Sequence, residues 1–479
     1  MVLTVLILCA NSFGVQKYAG FKLIGYIPTW NSGLNGDPSA TNKRDIDKID
    51  FSKMTHVIAA FIHSDADGNI RFPAPIELTA SPWSHQQAID TIVARAKRND
   101  VKVLLSLGSS ENGWEMTKSA AARTNFSKQI KQYLIDHNFD GLDLDLEGGW
   151  DDESPFYSEE YALLAKELRD TLGYDFYLTS AVGATNNKLW TDDFLSVLDW
   201  VNIMIYDLHM WWSNDIKNDS GFDDQLEAAN AWSERLPKEK LVFGAPFYGH
   251  GWNKGDNERL YYEINWWHPA NNADSSTWTW YKSDYFLYFV LDSLFDLSPR
   301  QDSIVISESD KLWLNAENSN MGFRGSYDGI IYFNGRDLLK KKAKWAIDNN
   351  YGGMMIWELS NDVPTAHQHS LLNALAEQFY ESAKNIPSPI SAKPMKTTIN
   401  GSQFFSLQNK TLKISLPSAN SSEITITDVR GRIVFTRTVN AKEVFVSLDE
   451  KRFANGVYLL NVETKDKNGK VYRYSAKLR

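Results

Sequence analysis

The 479-residue chain contains one cysteine, Cys9, so neither disulfides nor a thiolate metal site can hold its fold. No apolar run reaches the roughly 18 residues that a membrane-spanning helix needs, so no integral membrane anchor is visible. Metal-ligand spacing is missing among the 9 histidines. His209, His250 and His268 read as polar pocket or surface residues, and no metal or cofactor is expected. Basic residues are outnumbered, 50 Lys+Arg against 60 Asp+Glu, which argues against nucleic acid as the main partner because phosphate binding needs a positive field. A composition of 43% apolar and 23% charged residues excludes a collagen-like or wholly disordered chain. The length allows two or three domains.

These deficits are uneven along the chain. Residues 391–479 hold 16 Lys+Arg, 7 Asp+Glu and no Trp, whereas residues 1–390 hold 34 Lys+Arg, 53 Asp+Glu and all 17 Trp. Two units of opposite charge are therefore joined, and the Pro- and Ser-containing stretch Ala383–Pro394 has the composition of a linker, placed at 384–400. At the other end, Val2–Ala10 is a short apolar run followed by Asn11, Ser12, Phe13 and Gly14. Small residues at 12 and 14 suit a signal-peptidase cut after Gly14, although the usual basic start is missing and a first core strand is the alternative. A lipid anchor at Cys9 is disfavoured by the bulk of Leu8 before it. Export, with residues 1–14 removed, is expected.

Eight β-rich runs recur in the acidic unit: Lys22–Ile27, Thr55–Ile62, Val101–Ser106, Gly141–Leu146, Phe176–Val182, Val201–Tyr206, Leu241–Pro246 and Gly353–Trp357. Between them lie segments with apolar residues three and four apart, among them His85–Asn99, Ala120–His137, Pro155–Thr171, Asp223–Leu236 and Arg336–Asn349. Strand–helix alternation implies parallel strands, and eight units close an α/β barrel, here bounded at 20–383. The long interval between the seventh and eighth strands predicts a small α+β insertion over about 252–328, with a helix at Tyr285–Leu297 and a strand at Asp302–Ser307. In the tail, alternating strands at Thr411–Leu416, Glu423–Asp428, Arg432–Thr438, Glu443–Leu448 and Gly456–Val462 predict a small β-sandwich over 401–479.

Chemistry concentrates in Asn138–Trp150. With a strand's period of two, Asp143, Asp145 and Glu147 face one side and Leu142, Leu144 and Leu146 the other. In a barrel the leucines pack on the helices and the carboxylates point inward at the C-terminal end of strand four. Stacked buried charges cost several kcal/mol, so a purely structural role is hard to sustain. A calcium site lacks its loop and spacing, and an exposed acidic edge would not carry Leu at every second position. Asp145 and Glu147 project from one wall, about 6–7 Å apart at Cα, so they cannot flank a sugar as two opposed carboxylates do. They suit one acid and one helper, with like-charge proximity keeping one of them protonated.

The pattern Asp140-x-x-Asp143-x-Asp145-x-Glu147 resembles the signature of glycoside hydrolase family 18, the chitinases. Further segments are similar where the barrel requires them: Gly25–Trp30, Leu104–Gly108, Asn202–Asp207, Gly244–Gly249 and Gly352–Glu358. The resemblance implies a retaining, substrate-assisted hydrolysis of β-1,4-linked N-acetylglucosamine. Glu147 would be the general acid and base, Asp145 would hold the acetamido N–H and stabilise an oxazolinium, and Asp143 would share a proton with Asp145. Tyr206 would donate to the acetamido oxygen and Trp357 would floor the sugar. Tyr26, Met204 and Asp207 would line the pocket, Met204 being equally readable as packing and Trp30 as either. Trp114, Trp150, Trp211 and Trp212 lie in expected loops at the catalytic end, where some would stack on further sugars and others pack. Asp140 is read as holding the entry turn of the strand.

Two departures bear on cleft shape: Ser106-Leu-Gly-Ser-Ser110 stands where Ser-x-Gly-Gly is common in the family, and Met210 follows His209 where Gly is frequent. The tail, through Ile424–Arg432 and Leu448–Tyr458, resembles the C-terminal sorting domain of type IX secretion substrates, which implies a secreted or surface location and secretion machinery as a partner. An accessory carbohydrate-binding sandwich is less attractive without Trp. The expected partner of the barrel is chitin or a chitooligosaccharide, the expected state a monomer. An endo-β-N-acetylglucosaminidase and a chitin-binding lectin are the alternatives.

Overall fold

A computed structural model describes residues 17–29, 46–72, 85–109, 113–147, 158–209, 216–253, 260, 262–265, 281–283, 285–306, 311–315, 322–326, 329–385, 405–408, 411–415, 421–428, 433–439, 443–447, 458–465 and 471–478. The expected signal peptide at 1–14 lies outside them. The chain divides into two compact units, Met1–Ser388 and Pro389–Arg479.

The first unit is a barrel of eight parallel strands, β1 Lys22–Pro28, β2 His56–Ser64, β3 Lys102–Gly108, β4 Gly141–Asp145, β5 Tyr177–Gly183, β6 Trp200–Met204, β7 Leu241–Pro246 and β8 Gly353–Trp357. Neighbours pair in order around the ring, and β1 pairs with both β2 and β8, which closes it. Connecting helices are α1 His85–Arg98, α2 Ala120–Asp136, α3 Ser158–Leu172, α4 Phe222–Ser233, α5 Tyr288–Phe295, α6 Arg336–Asp348 and α7 Leu371–Asn385. Because α7 runs to Asn385, the first residues of the expected 384–400 linker are helical. Among the described residues no helix is long and apolar enough to cross a membrane.

Alternation along each strand sorts side chains into two apolar layers. Val57, Ala59, Val103, Leu105, Leu107, Leu142, Leu144, Val201 and Ile203 face outward onto the helices. Ile24, Tyr26, Ile58, Ala60, Leu104, Trp200, Val242 and Met355 fill the barrel itself. Helix α1 meets the outer layer with Ala88, Ile89, Ile92, Val93 and Ala96, the three-and-four spacing of one helical face, and ends on Arg95, Lys97 and Arg98, which suit its C-terminal dipole. Each fully buried Leu or Ile contributes about 1.5–3 kcal/mol, so the outward layer supplies enough apolar burial to tolerate polar groups inside. One close approach needs glycine: Gly353 has φ +139°, and a Cβ there would meet the Lys22 carbonyl at 1.9 Å.

The insertion is wider than the expected 252–328. Its sheet begins with Tyr248–Asn253 and ends with Gly329–Phe333, because these two strands pair with each other from Gly329↔Asn253 to Phe333↔Gly249. Tyr285–Leu287, expected as helix, forms an antiparallel edge strand on Tyr248–His250 instead, and α5 starts only at Tyr288. Ser303–Ile306 completes this sheet, and a second antiparallel sheet contains Tyr281–Ser283, Tyr262–Asn265, Gly322–Ser326 and Lys311–Asn315.

The second unit has two antiparallel sheets, one of Phe405–Gln408, Thr411–Ser415 and Glu443–Ser447, the other of Ile433–Val439, Ser421–Asp428, Tyr458–Lys465 and Val471–Leu478. Seven described strands replace the five expected. The first and last were missed because Phe405–Gln408 is short and Val471–Leu478 carries Arg473 and Lys477 within an otherwise strand-like alternation.

Candidate active site

The inward face of β4 presents Asp143 and then Asp145, with Glu147 two residues past the strand end. Strand register surrounds Asp143 with donors, since Ser106 of β3 and Thr179 of β5 lie directly opposite it. Ser106 Oγ and Tyr26 Oη donate to Asp143 Oδ2 at 2.9 and 2.8 Å. Thr179 Oγ1 and Asn202 Nδ2 donate to Oδ1, the latter at 3.2 Å. Asn202 is held in turn by Trp200 Nε1 at 3.1 Å. Burial raises the pKa of Asp143, and these four donors oppose the rise.

Asp145 is in a different position. Its Oδ1 is buried without a hydrogen bond among the described residues, and no described hydrogen bond joins it to Asp143. Burial raises its pKa well above the ordinary value, with the charges of Glu147 and Asp143 adding to the effect. Glu147 is exposed at the mouth of the barrel. Protein atoms around the cleft still desolvate its carboxyl enough to raise its pKa, and Asp207 adds to this. The backbone of Glu147 is fixed by Ser109, whose Oγ donates to its carbonyl at 2.5 Å and accepts its N–H. Trp114 Nε1 donates to the same carbonyl at 3.2 Å, and its ring stands edge-on to Tyr161 at 5.4 Å. The half-buried Trp114, read as either a sugar platform or packing, thus supports the Glu147 backbone.

Tyr206 follows the end of β6 and is half-buried. Gly244 of β7 makes room for it, because a Cβ there would lie 2.8 Å from Tyr206 Cε1. Burial and then the charges of Asp145, Glu147 and Asp207 hold the Tyr206 hydroxyl protonated far above neutral pH. Asp207 adopts φ +57°. Its N–H donates to Asp219 Oδ2 at 3.1 Å, and its Oδ1 accepts from Tyr248 Oη at 2.8 Å and sits 3.0 Å from His250 Nε2. Asp207, Asp219 and His250 each bring an atom within 4.8 Å of the others in one hydrogen-bonded group, in which Asp219 Oδ1 is buried without a hydrogen bond among the described residues.

Trp357 ends β8 over the barrel mouth, stacked on Phe61 at 5.8 Å and edge-on to Tyr26 at 5.6 Å. Tyr26 does not line the pocket as expected. It is 1% exposed, beneath Trp357 with its hydroxyl on Asp143, because β1 turns residue 26 into the barrel below the last layer. Met204 packs partly buried against the barrel interior. Asp140 sits at the opposite end of β4, bound by Lys97 at 2.6 Å, Lys102 at 3.2 Å and the Val103 N–H at 2.9 Å, which ties the strand's entry to α1 and β3. Trp30, Trp150, Trp211, Trp212 and His268 lie outside the described residues. Ser106, Ser109, Thr179 and Phe61 were missed by sequence reading. A lone Ser or Thr on the inward phase of an apolar strand, as at 106 and 179, is the signal that could have found two of them.

The arrangement stacks three carboxyls in a column, Asp143 with four donors, Asp145 with an unpaired buried oxygen and Glu147 with a raised pKa, beside the Tyr206 hydroxyl and the Trp357 indole. Residues 22–362 match the glycosyl hydrolases family 18, and residues 408–472 match the secretion system C-terminal sorting domain, which directs the chain out of the cell or to its surface. The chain is 24% identical over 430 residues to chitinase A1 of Niallia circulans, the match covering 73% of this chain and only 58% of that protein. Among solved structures, the group IV chitinase of Ostrinia furnacalis bound to allosamidin superimposes with a TM-score of 0.55 at 21% identity, covering 76% of this chain and 99% of that one. Human YKL-39, described as a pseudo-chitinase with retained chitooligosaccharide binding, gives 0.55 at 20% identity and covers 75% and 100%. With the match running over most of the chain and through every barrel strand, the protein belongs to glycosyl hydrolase family 18.

Proposed function

We propose that the protein is a secreted chitinase that hydrolyses β-1,4 bonds between N-acetylglucosamine units with retention and without a cofactor. The observation that carries this reading is the column Asp143–Asp145–Glu147, in which the outermost carboxyl has a raised pKa and the middle one has an unpaired oxygen. Protonated Glu147 gives its proton to the glycosidic oxygen as the bond to C1 breaks. The substrate's own acetamido carbonyl oxygen attacks C1 from the other face and forms an oxazolinium ion. Asp145 Oδ1 accepts the acetamido N–H, while Tyr206 donates to the acetamido oxygen. Water then attacks C1 as the oxazolinium's C1–O bond breaks and the acetamido carbonyl is regenerated, and the water's proton passes to Glu147, restoring the acid. Trp357 offers an apolar floor for the sugar ring. Asp143, saturated by four donors, acts as a fixed charge beneath Asp145.

A binding protein on the same barrel would keep the floor and dispense with the acid, and the presence of Glu147 speaks against it. The test is cleavage of chitin oligosaccharides by the full chain beside Glu147→Gln, with products resolved by size. Removing a general acid costs about 10²–10⁴-fold in rate. Turnover by the wild type, with Glu147→Gln binding the same sugars and turning over at least about 100-fold more slowly by that estimate, supports the reading. Sugar binding without turnover by the wild type replaces it with a lectin. Absence of both redirects it to glycoprotein or peptidoglycan glycans and an endo-β-N-acetylglucosaminidase.

A further inference from the structure

Away from the barrel mouth, helix α5 of the insertion meets the loop between β8 and α7. Asp292 on α5 and His369 on the loop are 77 residues apart in sequence, and both are buried. Asp292 Oδ1 lies 2.6 Å from His369 Nδ1, and Asp292 Oδ2 lies 3.9 Å from His367 Nδ1. Asp296, which caps α5, brings Oδ1 to 3.9 Å from the same His369 nitrogen. One ligand atom each from Asp292, His367 and His369 falls within 4.8 Å of the other two.

We propose that Asp292, His367 and His369, with Asp296 at the rim, bind a divalent transition-metal ion of the zinc class and thereby clasp the insertion to the barrel. An ion pair between Asp292 and His369 would need neither a second imidazole nor a second carboxylate, yet His367 Nδ1 stands 3.9 Å from Asp292 Oδ2 and Asp296 Oδ1 3.9 Å from His369 Nδ1. Ligands on a tetrahedral ion with bonds of about 2.0–2.1 Å are spaced roughly 3.3 Å apart. The 2.6 Å pair must therefore open and the 3.9 Å pairs close, each by less than about 1 Å on that spacing. Two imidazoles with carboxylates select zinc, nickel, cobalt or copper over the oxygen-seeking calcium and magnesium.

The surroundings suit capture from solvent. Asp292 and His369 side chains are 7% and 10% exposed and form the anchored half, whereas His367 and Asp296 are 45% and 96% exposed and form the open half. The buried half is already positioned: the Leu297 N–H donates to Asp292 Oδ1 at 3.3 Å, and Tyr288 Oη donates to the His369 carbonyl at 3.0 Å. The His369 N–H reaches His367 Nδ1 at 3.3 Å, a long hydrogen bond that an ion at that nitrogen displaces. Sequence reading did not find this group because His367 and His369 lack the usual three-to-five spacing and their carboxylate partners come from a distant helix.

This inference is independent of the catalytic reading. Zinc chloride is titrated calorimetrically into the metal-free full chain, its Tm is followed with and without zinc, and the visible spectrum is recorded with cobalt(II) in place of zinc. The wild type is expected to take one ion per chain, to gain Tm and to show the absorption of four-coordinate cobalt. His367→Ala, which alters an exposed side chain and leaves the core intact, should bind zinc at least about tenfold more weakly and lose both signals. His369→Asn should do the same. Absence of zinc binding by the wild type overturns the proposal, as does wild-type binding by His367→Ala or its loss in His250→Asn alone.

Discussion

Ser109 holds both backbone polar groups of Glu147 with one hydroxyl, donating to its carbonyl at 2.5 Å and accepting its N–H. Ser109 directly follows β3, so one side chain at the barrel mouth fixes the backbone of the proposed acid. Small displacements of a reacting group are costly, a 1 Å error amounting to about 10²-fold in rate.

Ser109→Ala should lower kcat by roughly tenfold with KM little changed, since the acid is displaced and the sugar contacts are kept. Steady-state kinetics on a chitin oligosaccharide check this. An unchanged kcat would mean that Trp114 suffices to fix the Glu147 carbonyl.

Tyr26→Phe removes one of four donors to Asp143 without touching substrate. A buried hydrogen bond to a charged group is worth about 1.5–3 kcal/mol, so kcat should fall by about tenfold at constant KM, with a lower Tm. A rise in KM alone would return Tyr26 to the pocket lining.

Asp207 carries a charge that favours the protonated form of Glu147. Hydrolysis by a protonated acid is lost as pH rises through the acid's pKa, so that pKa sets the basic limb of kcat/KM. Removing the charge in Asp207→Asn lets Glu147 ionise at lower pH, and the basic limb should move to lower pH as overall activity falls. A limb that stays in place would show that burial alone sets the acid.

Lys342 of α6 is buried, with Nζ donating to Ser220 Oγ at 2.9 Å and Asn334 Oδ1 at 2.8 Å, and burial depresses its pKa to about 7. The unfolded lysine keeps its proton up to about 10.4, so between about pH 7 and that value the unfolded chain binds more protons than the folded one. This group therefore makes stability rise with pH across that window and weighs fully against the fold below it. Lys342→Met should flatten that slope in denaturant unfolding at several pH values. It should also cost about 1–3 kcal/mol at the alkaline end of the window through unsatisfied oxygens.

Much of the barrel was legible because its physics is local. Period two on eight runs separates the outward leucines and valines from the inward groups, and Gly141–Asp145 shows both faces within one short strand. Where long-range pairing decided the outcome, local pattern failed. Tyr285–Leu287 reads as the start of a helix, yet pairing with Tyr248–His250 makes it a strand. Tyr248 itself opens the insertion for the same reason, because its strand finds a partner at Gly329–Phe333, far later in the chain.

By itself the sequence determined the eight strands of the barrel, the inward carboxylate column and the two-unit division, since alternation and composition need only neighbouring residues. Tertiary structure alone decided which carboxylate is saturated and which is left unpaired. Asp143 and Asp145 are equivalent in pattern, and only strand register sets Ser106 and Thr179 opposite the first of them. The same closure buries Tyr26 under Trp357 and brings Asp292 to His369, because burial and charge at a point depend on every strand and helix that surrounds it.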